Sequence, residues 1–343
     1  MDDTAIELVT AVELKRRASE FAIIPPYPAG YVQVPCPTPW ELSHVALAMV
    51  ALVAGLRSVR TLLRTTAPPL GRRAGCWLHG PAWCDGAHAA SVDWQRFADV
   101  CFFSLMHAVS TAFVGLRLRD ELSTWLGDAR EAWWAFTQPA LTDALRAYYV
   151  LGFATNMESA LSMAVGVVAG RGRDVPMMVH HAAVLFVMCV AYRLGFARVG
   201  VAILALHDAT DLPIDCLRIA QALHWESLQY VAAALALLSW STLRGWCFPR
   251  YIIASALFDT HHLWETWVWI WEDAHKVTVG YALFLVPLVL LWGLSCFWLR
   301  LLCLKVANAI GGRAAQQAAR PFVDLAGAVL VAALGAHVGS RAR

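Results

Sequence analysis

Charge is scarce in this chain of 343 residues: only 15% of the side chains are charged, and the formal net charge is +2. A balance so close to neutral, without a long basic run, argues against nucleic acid as a partner. Hydrophobic residues make up 59% of the chain, and the mean hydropathy is +0.54. This composition is far from that of a soluble domain. We therefore expect an all-α polytopic membrane protein.

Three other features are missing. Residues 1–40 are polar and rich in proline, so we expect no cleavable signal peptide there and interpret them as an N-terminal lumenal arm. The nine cysteines are odd in number and lie mostly in apolar segments, which favours reduced packing residues over a disulfide framework. No internal repeat is visible, which disfavours a proton-coupled transporter built from related halves.

Seven membrane crossings account for the apolar segments. The pattern predicts them at 41–63, 94–118, 139–170, 177–197, 199–222, 226–270 and 277–304. Segment 226–270 could be two crossings separated by Arg244, Gly245, Pro249 and Arg250, or one interrupted crossing. The charges that flank the last segment favour one crossing, because Arg300, Lys305 and Arg313 then lie in the cytosol. The apolar piece 322–338 is short for a crossing and is interpreted as a surface helix or packed tail.

Charged residues near the first and third crossings suggest an orientation and an ion pair. Arg57, Arg60 and Arg64 close the first predicted helix, so the positive-inside rule places this end in the cytosol. Asn156 and Glu158 lie at mid-depth in the third crossing. Glu158 is either a partner of nearby histidines or the partner of an arginine, and we favour the arginine.

The sequence contains two groups of potential metal ligands. Two cysteines and two histidines of the predicted loop 65–92 could hold zinc, but their spacing, Cys76-x2-His79-x4-Cys84-x3-His88, matches no familiar pattern. The histidine boxes of membrane di-iron hydroxylases are also missing, because positions 176, 177 and 258 are Pro, Met and Phe. The pair His261-His262 is interpreted as part of an interfacial aromatic belt. We expect no metal centre.

Two neighbouring apolar segments carry polar residues that a lipid-facing helix would exclude. The first, 177–197, has His180 and His181 near its start, and the second, 199–222, has His207, Asp208, Asp211 and Asp215. Positions 207, 211 and 215 share one face of a helix, which Arg218 extends. Each charged group costs about 2.5–3.5 kcal/mol at the centre of a membrane helix. These side chains must therefore face a bundle interior or an aqueous cavity.

The order of these residues resembles the Lag motif of ceramide synthases, within the TLC family of membrane proteins. The matching positions, without a gap, are Arg173-Asp174, His180-His181, Tyr192, Arg198-x-Gly200, His207-Asp208-x-x-Asp211 and Asp215. The chain departs from the pattern at Ala191 and Gly195, where the family has Ser and Asn. It also has Asp215 in place of Glu and Arg218 in place of Lys.

The resemblance implies an architecture and an activity. It implies a six-helix TLC barrel at 93–310, a first helix and cytosolic loop at 41–92, and a C-terminal tail at 311–343. The implied reaction is N-acylation of a sphingoid base by fatty acyl-CoA in the endoplasmic reticulum membrane, with acyl-CoA as co-substrate and no bound cofactor. The implied partners are long-chain acyl-CoA, the sphingoid base, membrane lipids and further subunits in a homo- or hetero-oligomer. A non-enzymatic TLC protein that senses or moves lipids is the alternative.

The motif residues suggest how such a reaction would proceed. A carboxylate beside an imidazole fixes its tautomer and stabilises its cation, which suits histidine as base or nucleophile. We expect His180 to attack the thioester, Asp211 or Asp208 to orient it, and His181 or His207 to carry the proton. Direct attack by the amine, with a histidine acting only as base, is the alternative. The predicted substrate-binding residues are Arg171, Arg173, Tyr192, Arg198, Asp215 and Arg218.

Overall fold

The computed structural model describes residues 39–127, 142–170, 174–193, 196–258 and 284–307. Within these ranges the regular structure is entirely helical, so the predicted all-α class is confirmed. In chain order the helices are α1 (Pro39–His79), α2 (Pro81–Asp85), α3 (Ala87–Ser91), α4 (Trp94–Arg117), α5 (Arg119–Gly127), α6 (Asp143–Val168), α7 (Val175–Arg193), α8 (Ala197–Ala222), α9 (Glu226–Ser239), α10 (Ala254–Phe258) and α11 (Phe284–Ala307). A π-helix, Trp240–Ile253, joins α9 to α10 without a break.

Six helices of the described ranges are long and apolar enough to cross a membrane. They are α1, α4, α6, α7, α11 and the continuous helix Glu226–Phe258. The prediction of a polytopic membrane protein is therefore confirmed. The seventh predicted crossing is α8, whose 26 residues are long enough to span the bilayer but whose carboxylates keep its hydropathy low.

Helix α8 lies at the centre of the bundle. It packs against α4, α6, α7, α9 and the π-helix. From Ala197 to His207, every residue except Arg198 is buried. Protein neighbours therefore replace lipid around α8, which is how this helix can hold three carboxylates at membrane depth.

Helix α1 is longer than the sequence predicted. The expected helix 41–63 and loop 65–92 are replaced by a helix that continues to His79, followed by α2 and α3. It passes through Pro68 and Pro69, although an interior proline costs a helix about 3 kcal/mol. Tertiary packing offsets this cost, because Gly71 lies against the rings of Trp94 and Phe97 on α4.

The candidate zinc ligands of this region are engaged elsewhere or lie beyond what the structure describes. Cys76 is disulfide-bonded, which differs from the expectation of reduced cysteines, whereas the other described cysteines are free thiols. His79 Nε2 lies 2.8 Å from the carbonyl oxygen of Leu223 on the α8–α9 connection. The side chains of Cys84 and His88 are outside the described set.

Three arginines of α1 bind acidic or hydroxyl side chains of α4 and α6. Arg60 Nε lies 2.9 Å from Asp99 Oδ1 on α4, and its Nη1 lies 2.8 Å from Glu158 Oε2 on α6. Arg64 makes two further hydrogen bonds to Asp99, and Arg57 bonds Ser162 on α6. The prediction that Glu158 pairs with an arginine is confirmed. The prediction that these arginines close the first helix is wrong, since α1 continues past them.

The predicted interruption of the sixth crossing is also wrong across 244–250. Arg244, Gly245 and Pro249 lie inside the continuous helix, in its π-helical part. The wider turns of a π-helix use i→i+5 hydrogen bonds, and such segments are rare and are frequently found at functional sites. The interpretation of 226–258 as one helix agrees with a single crossing. Predictions that concern 1–38, Arg171, Arg173, His261, His262 and 322–338 fall outside the described residues.

Candidate active site

Helix α7 brings His180 and His181 into the bundle about one turn from its start. His181 Nδ1 lies 3.1 Å from Oδ1 of Asn156 on α6. The Nδ2 group of Asn156 donates to the carbonyl of Gly152, so Oδ1 is the acceptor that faces the histidine. His181 Nδ1 therefore carries the proton, and Nε2 keeps its lone pair when the ring is neutral.

His207 on α8 has the same tautomer for a different reason. Its Nδ1 lies 2.8 Å from the carbonyl oxygen of Ile203, which can only accept. Its Nε2 is buried and has no hydrogen-bond partner among the described side chains and backbone groups. The ring of Phe248 meets the imidazole of His207 edge-on, with the two ring centroids 5.4 Å apart. His207 thus offers a buried basic nitrogen in an apolar wall.

His180 lies between the other two imidazoles. Its ring centroid is 5.4 Å from that of His181, 6.1 Å from that of His207 and 5.3 Å from that of Trp298 on α11. Its Nδ1 is buried, again without a hydrogen-bond partner in the described part of the chain. The sequence placed His180, His181 and His207 on two helices, and the structure brings the three rings together.

Asp211 is bound by a buried arginine that the sequence analysis interpreted as a helix break. Arg244 Nη2 lies 2.6 Å from Asp211 Oδ1, and the same side chain donates to Thr210 Oγ1 at 2.6 Å and to the His207 carbonyl at 3.1 Å. Its guanidinium also lies 4.2 Å from the ring centroid of Trp240. The side chain of Arg244 is only 2% exposed and that of Asp211 is 28% exposed, so the guanidinium is buried while the carboxylate is partly accessible.

The other two carboxylates of α8 have separate partners. Asp208 Oδ2 accepts a hydrogen bond of 2.7 Å from the hydroxyl of Tyr148 on α6. Asp215 Oδ2 lies 2.8 Å from Nδ1 of His107 on α4, and its Oδ1 lies 3.2 Å from Nη1 of Arg218. Each carboxylate of the stripe therefore meets a different side chain of the bundle.

The predicted substrate-binding residues are split between the two ends of the bundle. Asp215 and Arg218 lie on the side of the cluster where α7 begins, about 12 Å and about 17 Å along α8 from His207. Tyr192 contacts Tyr149 at the other end of α7, about 18 Å along the helix from His180. Arg198, at the start of α8, lies about 13 Å along that helix from His207. Their roles toward substrate stay predictions.

Comparison with known proteins assigns the family. Residues 98–304, more than half of the chain, match the family described as TLC domain. The chain belongs to the TLC domain family. This confirms the family resemblance drawn from the motif residues.

Several curated relatives of this TLC protein are ceramide synthases by name. Ceramide synthase hyl-1 of Caenorhabditis elegans is 25% identical over 230 residues, which is 66% of this chain and 61% of the relative. Ceramide synthase LOH2 of Arabidopsis thaliana is 28% identical over 137 residues, which is 40% of this chain and 44% of the relative. Alternaria stem canker resistance protein 1 of Solanum lycopersicum is 26% identical over 136 residues, which is 40% of this chain and 43% of the relative. The chain spans less than two thirds of each relative's length.

Three residues of the TLC segment take part in the site although the sequence analysis did not select them: His107, Tyr148 and Arg244. Each is a polar or charged side chain within an apolar helix, the same signal that drew attention to α8. Their partners lie 33 to 108 positions away in sequence, so no local spacing connects them. Within the described residues, no group of three His, Cys, Asp or Glu side chains has the geometry to hold a metal ion.

Proposed function

We propose that this TLC protein is a ceramide synthase that transfers a fatty acyl group from acyl-CoA to the amine of a sphingoid base. The observation that carries the proposal is the cluster of His180, His181 and His207, whose rings meet inside the membrane bundle. Acyl transfer from a thioester to an amine needs a nucleophile or base that works away from bulk water. The similarity to proteins named ceramide synthase supports the choice of substrates.

The first half of the reaction forms an acyl-enzyme. A ring nitrogen of His180 attacks the thioester carbonyl, the new C–N bond forms as the C–S bond breaks, and CoA leaves as a thiolate. The neighbouring rings of His181 and His207 expose unprotonated Nε2 atoms, so either can accept the proton that His180 releases. An N-acylimidazole is the product of this step.

The second half releases the amide. The amine of the sphingoid base attacks the acyl carbon, the acyl–imidazole bond breaks, and the amine proton passes to a neutral imidazole. Donors are needed for the oxyanion that develops on the carbonyl oxygen. The imidazole that accepted the amine proton returns it to the departing ring of His180, which restores the starting state, and the proton that left His180 in the first step is carried away by CoA as the thiol. Direct attack by the amine, with a histidine as base, is the competing route.

The membrane setting fits the proposed substrates. Both have long apolar chains that a helical bundle can hold, whereas CoA is soluble and must enter from an aqueous end. His180 is the sixth residue of α7, so the cluster lies near the end at which α7 begins. We propose that Arg171, Arg173 and Arg218 bind CoA at this end, in the endoplasmic reticulum membrane, and that Tyr192, Arg198 and Asp215 serve the lipid chains or their positioning.

An activity assay tests the reaction. Membranes that contain the protein are incubated with sphinganine and acyl-CoAs of different chain length, and the N-acyl product is measured. We expect product from the wild type, and a loss of about 100-fold or more for His180→Ala, His181→Ala and Asp211→Asn. His79→Gln is the matched control, because His79 lies outside the cluster and an amide can keep its bond to Leu223. Folded wild-type protein that makes no product at any chain length would favour the lipid-sensing alternative.

Intact-mass spectrometry separates the two routes. After incubation with acyl-CoA and no amine, an acyl adduct is expected that is absent in His180→Ala and disappears when sphinganine is added. Sequential kinetics without an adduct would leave direct attack as the route and His180 as a base.

A further inference from the structure

The environment of His107 differs from that of the three clustered histidines. Both of its ring nitrogens point at carboxylates: Nδ1 is 2.8 Å from Asp215 Oδ2 and Nε2 is 3.9 Å from Asp211 Oδ2. An ionised carboxylate only accepts hydrogen bonds, and a neutral imidazole has one N–H. The hydrogen bond to Asp215 needs a proton on Nδ1. Nε2 is too far from Asp211 for a hydrogen bond, but a proton there turns its approach to the carboxylate into an attraction between opposite charges, so the geometry favours an imidazolium.

The charges of the site lead to the same form of His107. Asp208, Asp211 and Asp215 bring three negative charges into the bundle, and Arg244 and Arg218 bring two positive charges. One negative charge is left over, and an unbalanced charge away from water is costly. A proton on His107 makes this set of side chains neutral.

Helix α1 helps to hold the ring of His107 in place. Phe103, one turn earlier on α4, stacks on the imidazole with centroids 6.3 Å apart and planes 19° apart. The guanidinium of Arg60, on α1, lies 5.1 Å from the centroid of the Phe103 ring. The ring therefore has an aromatic face on one side and the carboxylates of α8 at its edge.

We propose that His107 is a positioning residue that works as an imidazolium, holding Asp211 and Asp215 in their ionised form beside the neutral histidine cluster. Asp211 is then bridged, with Arg244 on one oxygen and His107 facing the other. Its negative charge stays at a fixed place near the imidazoles of His180 and His207. This inference rests on the proposed function for its kinetic part, but not for its structural part.

The structural part is tested by a double-variant cycle that needs no activity. His107→Gln keeps a neutral N–H toward Asp215 and removes the charge, so the melting temperature in detergent is expected to fall by about 4 °C or more. Asp215→Asn added to it removes the surplus negative charge, and the double variant is expected to melt above His107→Gln alone. Equal effects of His107→Gln in the wild-type and Asp215→Asn backgrounds would overturn the proposal.

The kinetic part is tested by charge rescue and pH dependence. The groups that face His107 are Asp208, Asp211 and Asp215 on α8 and, more distantly, His181 on α7 and Arg60 on α1. Activity that depends on the imidazolium is present at low pH and is lost as the proton leaves at high pH. His107→Gln is expected to lower kcat by about tenfold or more, with little change in KM. His107→Arg or His107→Lys is expected to have a higher kcat than His107→Gln. Neither variant is expected to show the loss of activity at high pH that deprotonation of His107 causes.

The outcomes of the two parts separate the two proposals. Wild-type kcat and an unchanged pH profile in His107→Gln would overturn the role of His107, whatever reaction the protein catalyses. An inactive wild type that still shows the stability coupling between His107 and Asp215 would overturn the proposed function and keep the imidazolium. His79→Gln is again the control and is expected to leave kcat and the pH profile unchanged.

Discussion

Asp211 forms its shortest ion pair with the buried Arg244 and faces His107 at a longer distance. Nη2 of Arg244 contacts both Asp211 and the His207 carbonyl, while Nε donates to Thr210. Removing one partner of a buried ion pair is costly because it leaves the other charge uncompensated, commonly by about 3–5 kcal/mol. Replacing both partners removes that penalty. The free energy of unfolding therefore depends on whether each buried charge keeps a partner of opposite charge, and not only on the attraction between the two.

We predict that Arg244→Met strongly lowers the thermal stability of the purified protein, by about 3–5 kcal/mol, and abolishes activity. Adding Asp211→Asn is expected to restore part of the stability but none of the activity. Arg244→Lys is expected to be intermediate, because an ammonium cannot make the three spaced contacts of a guanidinium. Thermal unfolding in detergent measures each effect. Additive losses in the double variant would show that the two residues are not coupled.

The tautomer of His181 depends on Asn156. Asn156→Leu is expected to leave Nδ1 without an acceptor and to lower kcat by about tenfold or more with little effect on KM, because the basic nitrogen is no longer fixed as Nε2. The neighbouring variant Thr155→Val removes only a bond within α6, to the Leu151 carbonyl, and is expected to retain activity. A comparison of steady-state kinetics decides this, and equal kcat values for both variants would contradict it.

At the scale of elements, two glycines set the distance between α6 and α8. A methyl group on Gly200 would lie 2.8 Å from the ring of Tyr149, and one on Gly152 would lie 2.7 Å from Leu204 Cδ1. The Tyr149 ring is buried and its hydroxyl bonds the carbonyl of Met188, so it has little freedom to move. Leu204 can respond by changing rotamer.

We therefore predict that Gly200→Ala is the more damaging of the two substitutions. Overpacking costs about 1–3 kcal/mol, while alanine in place of glycine stabilises a helix by about 1 kcal/mol. Gly152→Ala is expected to be close to neutral, and Gly200→Ala is expected to lower the melting temperature measurably. The reverse order in a thermal shift assay would contradict this account.

The sequence predicted the helices well where composition alone decides them. The predicted segments 177–197 and 199–222 differ by only a few residues from α7 and α8. It failed where tertiary packing outweighs local preference: α1 passes two prolines because α4 supports it, and the π-helix passes Pro249 while Arg244 binds α8. The motif gave His180, His181 and His207 but not His107 or Tyr148. Their significance depends on which helices become neighbours, and local spacing does not contain that information.

At the scale of the whole molecule, the histidine cluster lies nearer to one end of the bundle, the end at which α7 begins. The ends of α1 and α8 meet there through His79 and Leu223, and Leu302 near the end of α11 packs against Leu217. Arginines occur at both ends, so charge alone does not decide which end faces the cytosol. Under the proposed function, the position of the histidine cluster predicts the orientation, because a soluble CoA thioester would reach His180 from the nearer end.

We predict that protease added to sealed microsomes removes an epitope tag placed after residue 343, while a tag before residue 1 is protected. A lumenal marker protein is the control for intact vesicles, and permeabilised vesicles are expected to lose both tags. A protected C-terminal tag would contradict the seven-crossing orientation and place the histidine cluster nearer to the lumen.

The ion pairs of α1 have a consequence for exchanging parts between relatives. Arg60 and Arg64 lie before the matched TLC segment, whereas Asp99 and Glu158 lie within it. A chimera that joined this TLC segment to a first helix without those arginines would inherit Glu158, fully buried, with its main cation gone. The start of the matched TLC segment is thus not a boundary between independent parts. Substitutions at the arginines of α1 and at their acidic partners are expected to be compatible only when made together, so a chimera that contains the TLC segment also needs the arginines of α1.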